Sequence, residues 1–314
     1  MNKKRFLSIF LMVFLVAALA ACGSGGSSSG NGGNAGSSGE ENTSGGESSD
    51  KGTNEEGTSE ESTSEGSGEA TNEGGSVDKS KTYIVATDNS FVPFEFVNQD
   101  TGKIQGFDID LIKAAAEQAG IKIKIKTMNF SGIIPGLKSG RWAMGIAGMS
   151  ITEKRDKSID FSIPYYQSGL IVAVQADNTD IHGVDDLAGK TVSTRQGSTS
   201  QQYLKNKLPK AKAKAFPKIT QGYQALAAGR VDATLYDAPN IKYYIKTNAK
   251  GEIKTVGEKI TAENYGIGFQ EDSPLVPVIN KALKEMMNNG TYKEIYKKWF
   301  GEAPPTDFPL DTSK

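Results

Sequence analysis

The sequence has very few of the residues that support disulfide, metal or nucleophilic chemistry. Its 314 residues include one cysteine, Cys22, and one histidine, His182. A single cysteine excludes an intrachain disulfide, and the lone histidine, in a predicted surface loop, gives no metal-ligand spacing. The sequence also contains no phosphate-cradling glycine loop and no nucleophile elbow. These absences argue against an enzyme and predict neither a metal nor a cofactor.

The chain also lacks a long transmembrane run. The apolar stretch at 6–18 is too short to span a bilayer comfortably and follows Lys-Lys-Arg at 3–5, as in a secretory signal peptide. It leads into Leu-Ala-Ala-Cys at 19–22, which resembles the bacterial lipobox. We predict a signal peptide over 1–21 and acylation, including palmitate, on Cys22. The alternative is a conventional cleavage site with Cys22 as an ordinary residue.

Aromatic residues are absent between residues 23 and 80, where Gly, Ser, Asn, Thr and Glu make up almost the whole sequence. Such a segment cannot bury enough apolar surface to offset its chain entropy. We therefore predict that 22–80 is an acylated, flexible acidic tether, with a coil span of about 40 Å. The composition then becomes globular for about 225 residues, which is enough for two α/β lobes.

Positive charge is not concentrated on any one segment. The formal net charge is −1, but the acidic tether leaves the globular part mildly basic. Its lysines are dispersed, as at Lys122, Lys124 and Lys126, without the basic stripe and interleaved aromatics that nucleic acid requires. This distribution excludes nucleic acid as a partner.

Strand and helix patterns alternate after residue 80. Tyr83–Ala86 reads as a buried strand, Phe107–Ala119 as a helix ended by Gly120, and 121–126 as a strand exposed on one face. This order predicts a parallel sheet covered by helices, repeated in a second α/β unit. The remaining predictions are helices near 133–139, 200–208 and 223–229, strands near 143–147, 170–175, 191–194 and 233–236, and two helices within 274–300 separated by Asn289-Gly290.

A series of motifs runs through the globular part. In order they are ATD at 86–88, FVPFEF at 91–96, GFDID at 106–110, FSGIIP at 130–135, TEKR at 152–155, IDFS at 159–162, YY at 165–166, YGI at 265–267 and NGTYKEIYKKWF at 289–300. Over 81–301 the chain resembles the bacterial extracellular solute-binding proteins of family 3, which bind polar amino acids for ABC importers. The glutamine-binding members resemble it most closely.

The resemblance implies an α/β, type II periplasmic-binding-protein fold, in which a two-strand hinge joins two α/β lobes and the ligand lies in the cleft. Lobe 1 would hold 81–167 and 264–303, lobe 2 would hold 168–263, and 304–314 would be a tail. The implied partners are a free amino acid and the permease and ATPase subunits of an ABC importer. With the lipid anchor, this predicts a monomer on the outer face of the cytoplasmic membrane, and the tether favours a Gram-positive cell.

The resemblance assigns Arg155 to the ligand α-carboxylate, which its planar guanidinium can grip with two parallel bonds. Ser150 would add backbone and hydroxyl contacts, and the amides of Ser198 and Thr199 precede a predicted helix whose positive end favours an anion. Without the surrounding motif, the charged run around Arg155 would favour a surface arginine, and the motif reverses that preference.

The resemblance assigns Asp237 to the ligand ammonium, helped by the carbonyl of Gly148. Asp237 also stands before Ala-Pro, a favourable helix start, so a capping role is compatible with the residues. Phe91 and Phe130 correspond to the aromatic walls that sandwich the aliphatic part of the ligand. Tyr236 joins the predicted site where the glutamine-binding pattern has histidine.

Asp88 and Arg195 would face the side-chain end of the ligand. A carboxamide needs one acceptor and one donor, and this pair offers one of each, which favours glutamine over glutamate, lysine or arginine. The sequence departs from the glutamine-binding pattern, with Arg195 in place of lysine and Ser150 and Ser198 in place of threonines. Because arginine and lysine are not interchangeable at a fixed contact, another polar amino acid, cystine included, stays an alternative.

Two other classes of protein remain open. Cyclohexadienyl-type dehydratases share this fold and its carboxylate-gripping arginine, but their chemistry needs a placed general acid, and His182 is far from every pocket motif in sequence. Binding modules of this fold also serve signalling proteins. No kinase or methyl-acceptor pattern follows the globular part, so transport is favoured over sensing.

Overall fold

The structure, a computed structural model, describes residues 77–305. The predicted signal peptide, Cys22, nearly all of the tether and most of the predicted tail at 304–314 lie outside the described residues. The described part belongs to one compact unit, 69–314.

Fifteen strands and eight α-helices are assigned within 77–305. The strands are β1 (Thr82–Thr87), β2 (Ser90–Phe91), β3 (Glu95–Val97), β4 (Ile104–Gln105), β5 (Lys122–Thr127), β6 (Met144–Gly145), β7 (Asp160–Phe161), β8 (Tyr166–Ser168), β9 (Leu170–Gln175), β10 (Thr191–Arg195), β11 (Lys212–Phe216), β12 (Ala233–Asp237), β13 (Ile253–Val256), β14 (Glu263–Tyr265) and β15 (Gly268–Phe269). The helices are α1 (Phe107–Ala119), α2 (Ile133–Lys138), α3 (Glu153–Asp156), α4 (Thr199–Lys207), α5 (Ile219–Ala227), α6 (Ala238–Thr247), α7 (Leu275–Asn288) and α8 (Thr291–Phe300).

Two five-stranded sheets form the centres of the two lobes. The lobe 1 sheet has the order β5-β1-β6-β15-β7, and the lobe 2 sheet has the order β11-β10-β12-β9-β13. In each sheet three parallel strands are followed by one strand that runs the other way, β15 in lobe 1 and β9 in lobe 2, and this strand pairs antiparallel with the edge strand, β7 or β13. The predicted parallel arrangement is confirmed for these three strands of each sheet and is wrong for the rest, so both sheets are mixed. Antiparallel strands need no helical crossover, so β9 and β15 enter their sheets directly from the connecting strands.

A two-stranded ribbon joins the sheets. Strand β8 carries the chain from lobe 1 to lobe 2, and β14 carries it back. The two run antiparallel, with Tyr166 opposite Tyr265 and Ser168 opposite Glu263. The backbone of Ser150 forms a further bridge to Tyr265, so the return strand also touches the loop after β6.

Helix α1 has the bounds that its sequence predicts. It begins after Gly106, whose φ of 139° is readily adopted only by glycine. A Cβ at this position would also lie 2.0 Å from the carbonyl oxygen of Phe94. It ends at Gly120, a left-handed C-cap with φ 67°. This close docking places Asp108, the second residue of α1, beside strand β3.

Several shorter elements differ from their predicted extents. Helix α5 begins at Ile219 rather than near 223, and only Met144 and Gly145 of the predicted strand at 143–147 pair in the sheet. Helix α6 and the small sheet β2-β3-β4 were not predicted as elements. Throughout 77–305, no helix is both long and apolar enough to cross a membrane.

Candidate ligand-binding cleft

The predicted site residues gather between the lobes, at or just beyond strand ends. Most of them follow the carboxyl ends of parallel strands, namely β1, β5 and β6 in lobe 1 and β10 and β12 in lobe 2, and ligands of open α/β sheets bind at such ends. Lobe 1 contributes residues from β1, β2, the loops after β5 and β6, and α3, and lobe 2 contributes the ends of β10 and β12 and the start of α4. They are Asp88, Phe91, Phe130, Gly148, Ser150 and Arg155 from lobe 1, and Arg195, Ser198, Thr199, Tyr236 and Asp237 from lobe 2.

Arg195 and Asp88 form an ion pair across the cleft. Arg195 Nη1 lies 3.0 Å from Asp88 Oδ2, and the two side chains are 2% and 1% exposed. The other carboxylate oxygen of Asp88 accepts bonds from the amides of Asn89 and Ser90 and from the Ser90 hydroxyl, at 2.5, 3.0 and 2.9 Å. Both oxygens of Asp88 are therefore engaged by protein donors.

Three aromatic rings frame the Arg195 guanidinium. Its central carbon lies 4.0 Å from the ring centre of Phe130, 4.9 Å from that of Phe91 and 5.3 Å from that of Tyr236. Cation–π attraction over several buried faces stabilises such a cation, and the contribution grows when water is excluded. The side chain of Arg195 therefore forms part of the inner wall of the cleft.

Arg155, the second arginine beside the Phe130 ring, contacts both lobes. Its Nη1 donates to the carbonyl of Ser150 at 2.7 Å, and its Nη2 donates to the carbonyl of Gly197, from lobe 2, at 3.2 Å. The guanidinium also lies 5.3 Å from the Phe130 ring centre. Burial lowers the pKa of Arg155 to about 10, so the group remains cationic at neutral pH. The reading of Arg155 as a surface residue does not hold, because it is only 9% exposed.

The start of α4 faces Arg155. The helix begins at Thr199, and Ser198 is its N-cap, accepting a bond from the amide of Gln201 at 3.2 Å. The hydroxyls of Thr199 and of Ser150 both donate to Oε2 of Glu263, at 2.9 and 2.5 Å. The carboxylate of Glu263, on the return strand β14, thus accepts one hydrogen bond from a hydroxyl of each lobe.

Asp237 occupies the N-cap position of α6, but its side chain makes no capping bond. Instead, its Oδ2 accepts a bond from the hydroxyl of Tyr265 on β14. Burial, and next the charge of Glu263, raise the pKa of Asp237 to about 7 against the opposing effects of Tyr265, Arg195 and Arg155. Helix capping therefore does not account for this carboxylate.

Three buried polar atoms in the cleft have no hydrogen-bond partner among the described residues. They are Oδ1 of Asp237, the hydroxyl of Tyr236 and Nε of Arg195. A buried polar group without a partner costs about 1–3 kcal/mol, so each such atom in a native protein needs an explanation. The three atoms supply an acceptor, a donor that can also accept, and a donor.

Gly148 closes the cleft wall beside Phe91. Its φ is 52°, and a Cβ at this position would lie 2.1 Å from a ring carbon of Phe91. Its amide donates to Oδ2 of Asp108 at 2.8 Å, from below the cleft. Only glycine fits both the backbone conformation and the close approach of the ring.

A groove of about 600 Å³ continues from Arg155 toward solvent. Phe130 and Leu170 give it apolar walls, and Thr199 and Glu263 give it polar ones. The groove therefore connects the part of the cleft around Arg155 to the surface between the lobes.

Three residues of the cleft were missed by sequence reasoning. Glu263 and Tyr265 lie two positions apart on β14, just before or within the YGI motif, and both reach cleft residues. Asn240, three positions after Asp237, donates from Nδ2 to the Val92 carbonyl at 2.6 Å and so links the lobes. The YGI motif was the available signal, but sequence alone does not show which side chains of a connecting strand face the cleft.

His182 lies on the surface, where its amide donates to the carboxylate of Asp186 at 2.7 Å. Within 77–305, no group of three or more His, Cys, Asp or Glu residues is arranged to hold a metal ion.

Comparison with known proteins defines the class to which this fold and cleft belong. An ancestral arginine-binding protein, solved with arginine and with glutamine, is 45% identical with a TM-score of 0.67, over 70% of this chain and 98% of that chain. The arginine-binding extracellular protein ArtP of Bacillus subtilis (strain 168) is 33% identical over 229 residues, 72% of this chain and 89% of that protein. The glutamine-binding protein GlnH of the same strain is 35% identical over 216 residues, 67% of this chain and 78% of that protein.

The chain has the type II periplasmic-binding-protein fold and is an extracellular solute-binding protein. It belongs to the bacterial extracellular solute-binding proteins, family 3, whose family model matches residues 83–302. Its relatives include amino-acid-binding proteins of ABC transporters, and the fold class and family expected from the sequence are confirmed.

Proposed function

We propose that the chain is the substrate-binding lipoprotein of an amino-acid ABC importer, which captures free L-glutamine and delivers it to the permease. The observation that carries the ligand assignment is the set of unpartnered atoms in the cleft: Asp237 Oδ1, the Tyr236 hydroxyl and Arg195 Nε. Glutamine offers an ammonium for the first and an amide oxygen for the other two. Buried polar groups that lack partners favour a ligand that supplies them.

The head group of the amino acid would bind between Arg155 and Asp237. The guanidinium of Arg155, with the amides at Ser198 and Thr199, provides charge and donors for the α-carboxylate. Asp237 provides a carboxylate for the ammonium, with the Gly148 carbonyl as a second acceptor. Each charge of the amino acid thereby meets an opposite charge inside a cleft that excludes water.

The side-chain end of the cleft favours a neutral amide. The ion pair of Arg195 and Asp88 is balanced in charge, so neither a carboxylate nor a cation on the ligand finds an uncompensated partner. The amide oxygen would accept from Arg195 Nε or the Tyr236 hydroxyl, and the amide NH2 would donate to Asp88 Oδ2. Phe91 and Phe130 would cover the aliphatic carbons.

Arginine is the second candidate ligand. The aromatic frame of Phe91, Phe130 and Tyr236 already holds a guanidinium, that of Arg195, beside the carboxylate of Asp88. A ligand guanidinium would fit the same frame if Arg195 turned away, and arginine binders are among the relatives. Glutamine is favoured because it leaves the buried ion pair intact, whereas arginine must break it.

Capture would proceed by closure of the two lobes around the β8 and β14 ribbon, with lobe 1 as 81–167 plus 264–303 and lobe 2 as 168–263. Contacts that join the lobes support this proposal. They are Arg195 with Asp88, Arg155 with the Gly197 carbonyl, and Asn240 with the Val92 carbonyl.

We place the mature protein on the outer face of the cytoplasmic membrane of a Gram-positive cell, anchored through acylated Cys22. The support is the lipobox-like sequence at 19–22 and the acidic tether at 22–80. Two or three acyl chains on one cysteine give lasting attachment, which a single chain does not. The protein would act as a monomer that docks on the permease, whose ATPase powers import.

A role in binding rather than catalysis agrees with the relatives, which are binding proteins. Uptake of labelled glutamine by a strain without the gene tests the transport role. Uptake should fall in the deletion strain and return with the wild-type gene or with Arg230→Ala, an exposed control, but not with Arg155→Ala. Normal uptake in the deletion strain would refute the importer assignment and leave a sensory role.

A further inference from the structure

Two carboxyl groups are buried together beneath the cleft. Glu95 on β3 and Asp108 on α1 are both 0% exposed. The amide of Asp108 donates to the carbonyl of Phe94 at 2.9 Å, so the start of α1 is docked directly on β3. A Cβ on Gly106 would lie 2.8 Å from the amide nitrogen of Glu95, so the backbone of Glu95 lies directly against the start of the helix that carries Asp108.

Asp108 receives hydrogen bonds from neighbouring donors, whereas Glu95 receives none from the residues that the structure describes. Asp108 Oδ2 accepts from the Gly148 amide at 2.8 Å and from the Tyr165 hydroxyl at 2.9 Å. Among residues 77–305, no donor reaches Asp108 Oδ1 or either oxygen of Glu95. Two adjacent buried carboxyl groups cannot both ionise without a large penalty, and the group with two donors is the better place for the charge.

We propose that Glu95 and Asp108 share one proton as a buried acid–carboxylate pair, and that this pair is a positioning unit for the cleft. The proton resides on Glu95 and is donated to Asp108 Oδ1, so the atom without a donor gains one. Above about pH 7 Asp108 is ionised, and it holds the Gly148 amide and the Tyr165 hydroxyl. The effect of this pair on ligand binding depends on the proposed role of the Gly148 carbonyl. The sharing of the proton is independent of the proposed function.

The pair connects the ligand loop to the hinge. Gly148 lies against Phe91 in the cleft wall, and Tyr165 directly precedes the connecting strand β8. The Tyr165 amide donates to the Tyr265 carbonyl at 2.9 Å, and its carbonyl accepts from the Tyr292 hydroxyl at 2.7 Å. One carboxylate therefore fixes both the loop that would face the ammonium and the entry to the hinge.

The electrostatic surroundings agree with this arrangement. Burial, with the charges of Asp108 and Asp88, holds the pKa of Glu95 well above its usual range, and only Arg195 opposes the shift. Burial also raises the pKa of Asp108, to about 7, against the bonds from Gly148 and Tyr165. The charged or titratable groups facing the pair are thus Asp88, Arg195, Tyr165 and, on α8, Tyr292.

Infrared spectroscopy of the purified protein tests the shared proton without any ligand. At about pH 8, where Asp237 with its pKa of about 7 is mostly ionised, the wild type should show the carbonyl band of a protonated carboxylic acid. Glu95→Gln should lose that band, and Glu117→Gln, an exposed control on α1, should keep it. A spectrum unchanged by Glu95→Gln would overturn the pair whatever ligand the protein binds.

The pH dependence of unfolding gives a second readout. The unfolded chain releases the Glu95 proton near pH 4.5, whereas the folded chain keeps it to a higher pH. The folded state then binds more protons, so the free energy of unfolding falls as pH rises above 4.5. Glu95→Gln should flatten this fall relative to the wild type and Glu117→Gln, and an equally steep fall in all three would contradict the proposal.

Binding separates the positioning role from a purely structural one. Glu117→Gln, the exposed control on α1, should keep its affinity for glutamine, or for arginine if the wild type prefers it, within about twofold of the wild type. Asp108→Ala releases Gly148 and should weaken binding about tenfold or more, with Asp108→Asn, which keeps an acceptor, in between. Wild-type affinity in both Asp108 variants would overturn the positioning role.

Discussion

Arg195 and Asp88, which are 107 positions apart in the sequence, form a buried ion pair of 3.0 Å that joins the two lobes across the cleft. The pair occupies the end of the cleft that would receive the ligand side chain. Because its charges cancel, it favours a neutral side chain, whereas either residue alone would favour a charged one. Ligand selectivity therefore depends on whether this pair stays intact.

Replacing Arg195 tests this dependence. In Arg195→Ala, Asp88 is left buried without its partner, a change that costs about 3–5 kcal/mol when nothing compensates it. A ligand guanidinium can supply the missing cation, so affinity for arginine should rise at least tenfold while affinity for glutamine falls. Titration calorimetry with both amino acids measures the change. Arg230→Ala, at an exposed position, should leave both affinities as they are, and unchanged selectivity in Arg195→Ala would contradict the role of the pair.

Ligand affinity should depend on pH through Asp237. Its pKa is about 7, and only its ionised form attracts the ligand ammonium. Protonation therefore competes with binding, and the dissociation constant should rise as pH falls through 7, approaching about tenfold per pH unit well below it. Calorimetric titrations between about pH 5 and pH 8 measure this limb. Asp237→Asn should bind weakly with a flat profile, and a flat profile in the wild type would exclude Asp237 as the ammonium partner.

The hydroxyl of Tyr265 should set the pH at which ligand affinity begins to fall. This hydroxyl donates to Asp237 Oδ2 and so lowers the pKa of Asp237. Tyr265→Phe keeps the ring but removes this bond, which should raise the pKa of Asp237. Ligand affinity should then begin to fall at a higher pH than in the wild type. Tyr83→Phe is the matched control, because it removes a hydroxyl bonded to the backbone carbonyl of Asp78, outside the cleft. The same pH dependence of ligand affinity in both variants would show that the hydroxyl of Tyr265 has no influence on Asp237.

Substitution of Gly148 should disrupt the cleft wall. In Gly148→Ala the new Cβ would meet a ring carbon of Phe91 at 2.1 Å, at a φ of 52°. Phe91 or the loop must shift, so glutamine affinity should fall by about tenfold or more. Gly189→Ala has a comparable positive φ of 78° with no atom within 4 Å, so it carries the backbone strain without the clash. Equal affinities in the two variants would mean that the close approach of Phe91 does not matter for binding.

The proposed lipid anchor makes a separate prediction about location. Cys22→Ser removes the only thiol in the chain and, if the host is Gram-positive as proposed, should release the protein from the membrane fraction into the medium. Metabolic labelling with a palmitate analogue should mark the wild type and not the variant. Retention of unlabelled wild-type protein on the membrane would contradict acylation.

Local patterns predicted the long elements well. Helix α1 lies between two glycines with positive φ and shows clear apolar periodicity, so both of its ends are encoded nearby in the sequence. Strand β9 was also predicted with its observed bounds. Its antiparallel direction was not, because strand direction depends on how the chain enters a lobe from the ribbon and not on the residues of the strand.

The site was predictable only where a motif carried it. The eleven residues named from the resemblance lie around one cleft, but their contacts join residues far apart in sequence, as for Arg195 with Asp88. The roles of Glu263 and Tyr265 depend on which face of a three-residue strand turns to the cleft. The buried proximity of Glu95 and Asp108 likewise follows from the docking of α1 on β3, which no local pattern encodes.

Side-by-side titration of the wild-type protein, stripped of bound ligand, with glutamine, arginine, glutamate and cystine tests the central claim most directly. Glutamine should bind most tightly, because it satisfies the unpartnered atoms of Arg195, Tyr236 and Asp237, brings no side-chain charge and leaves the Arg195–Asp88 pair intact. Tighter binding of arginine, by about tenfold or more, would contradict the account.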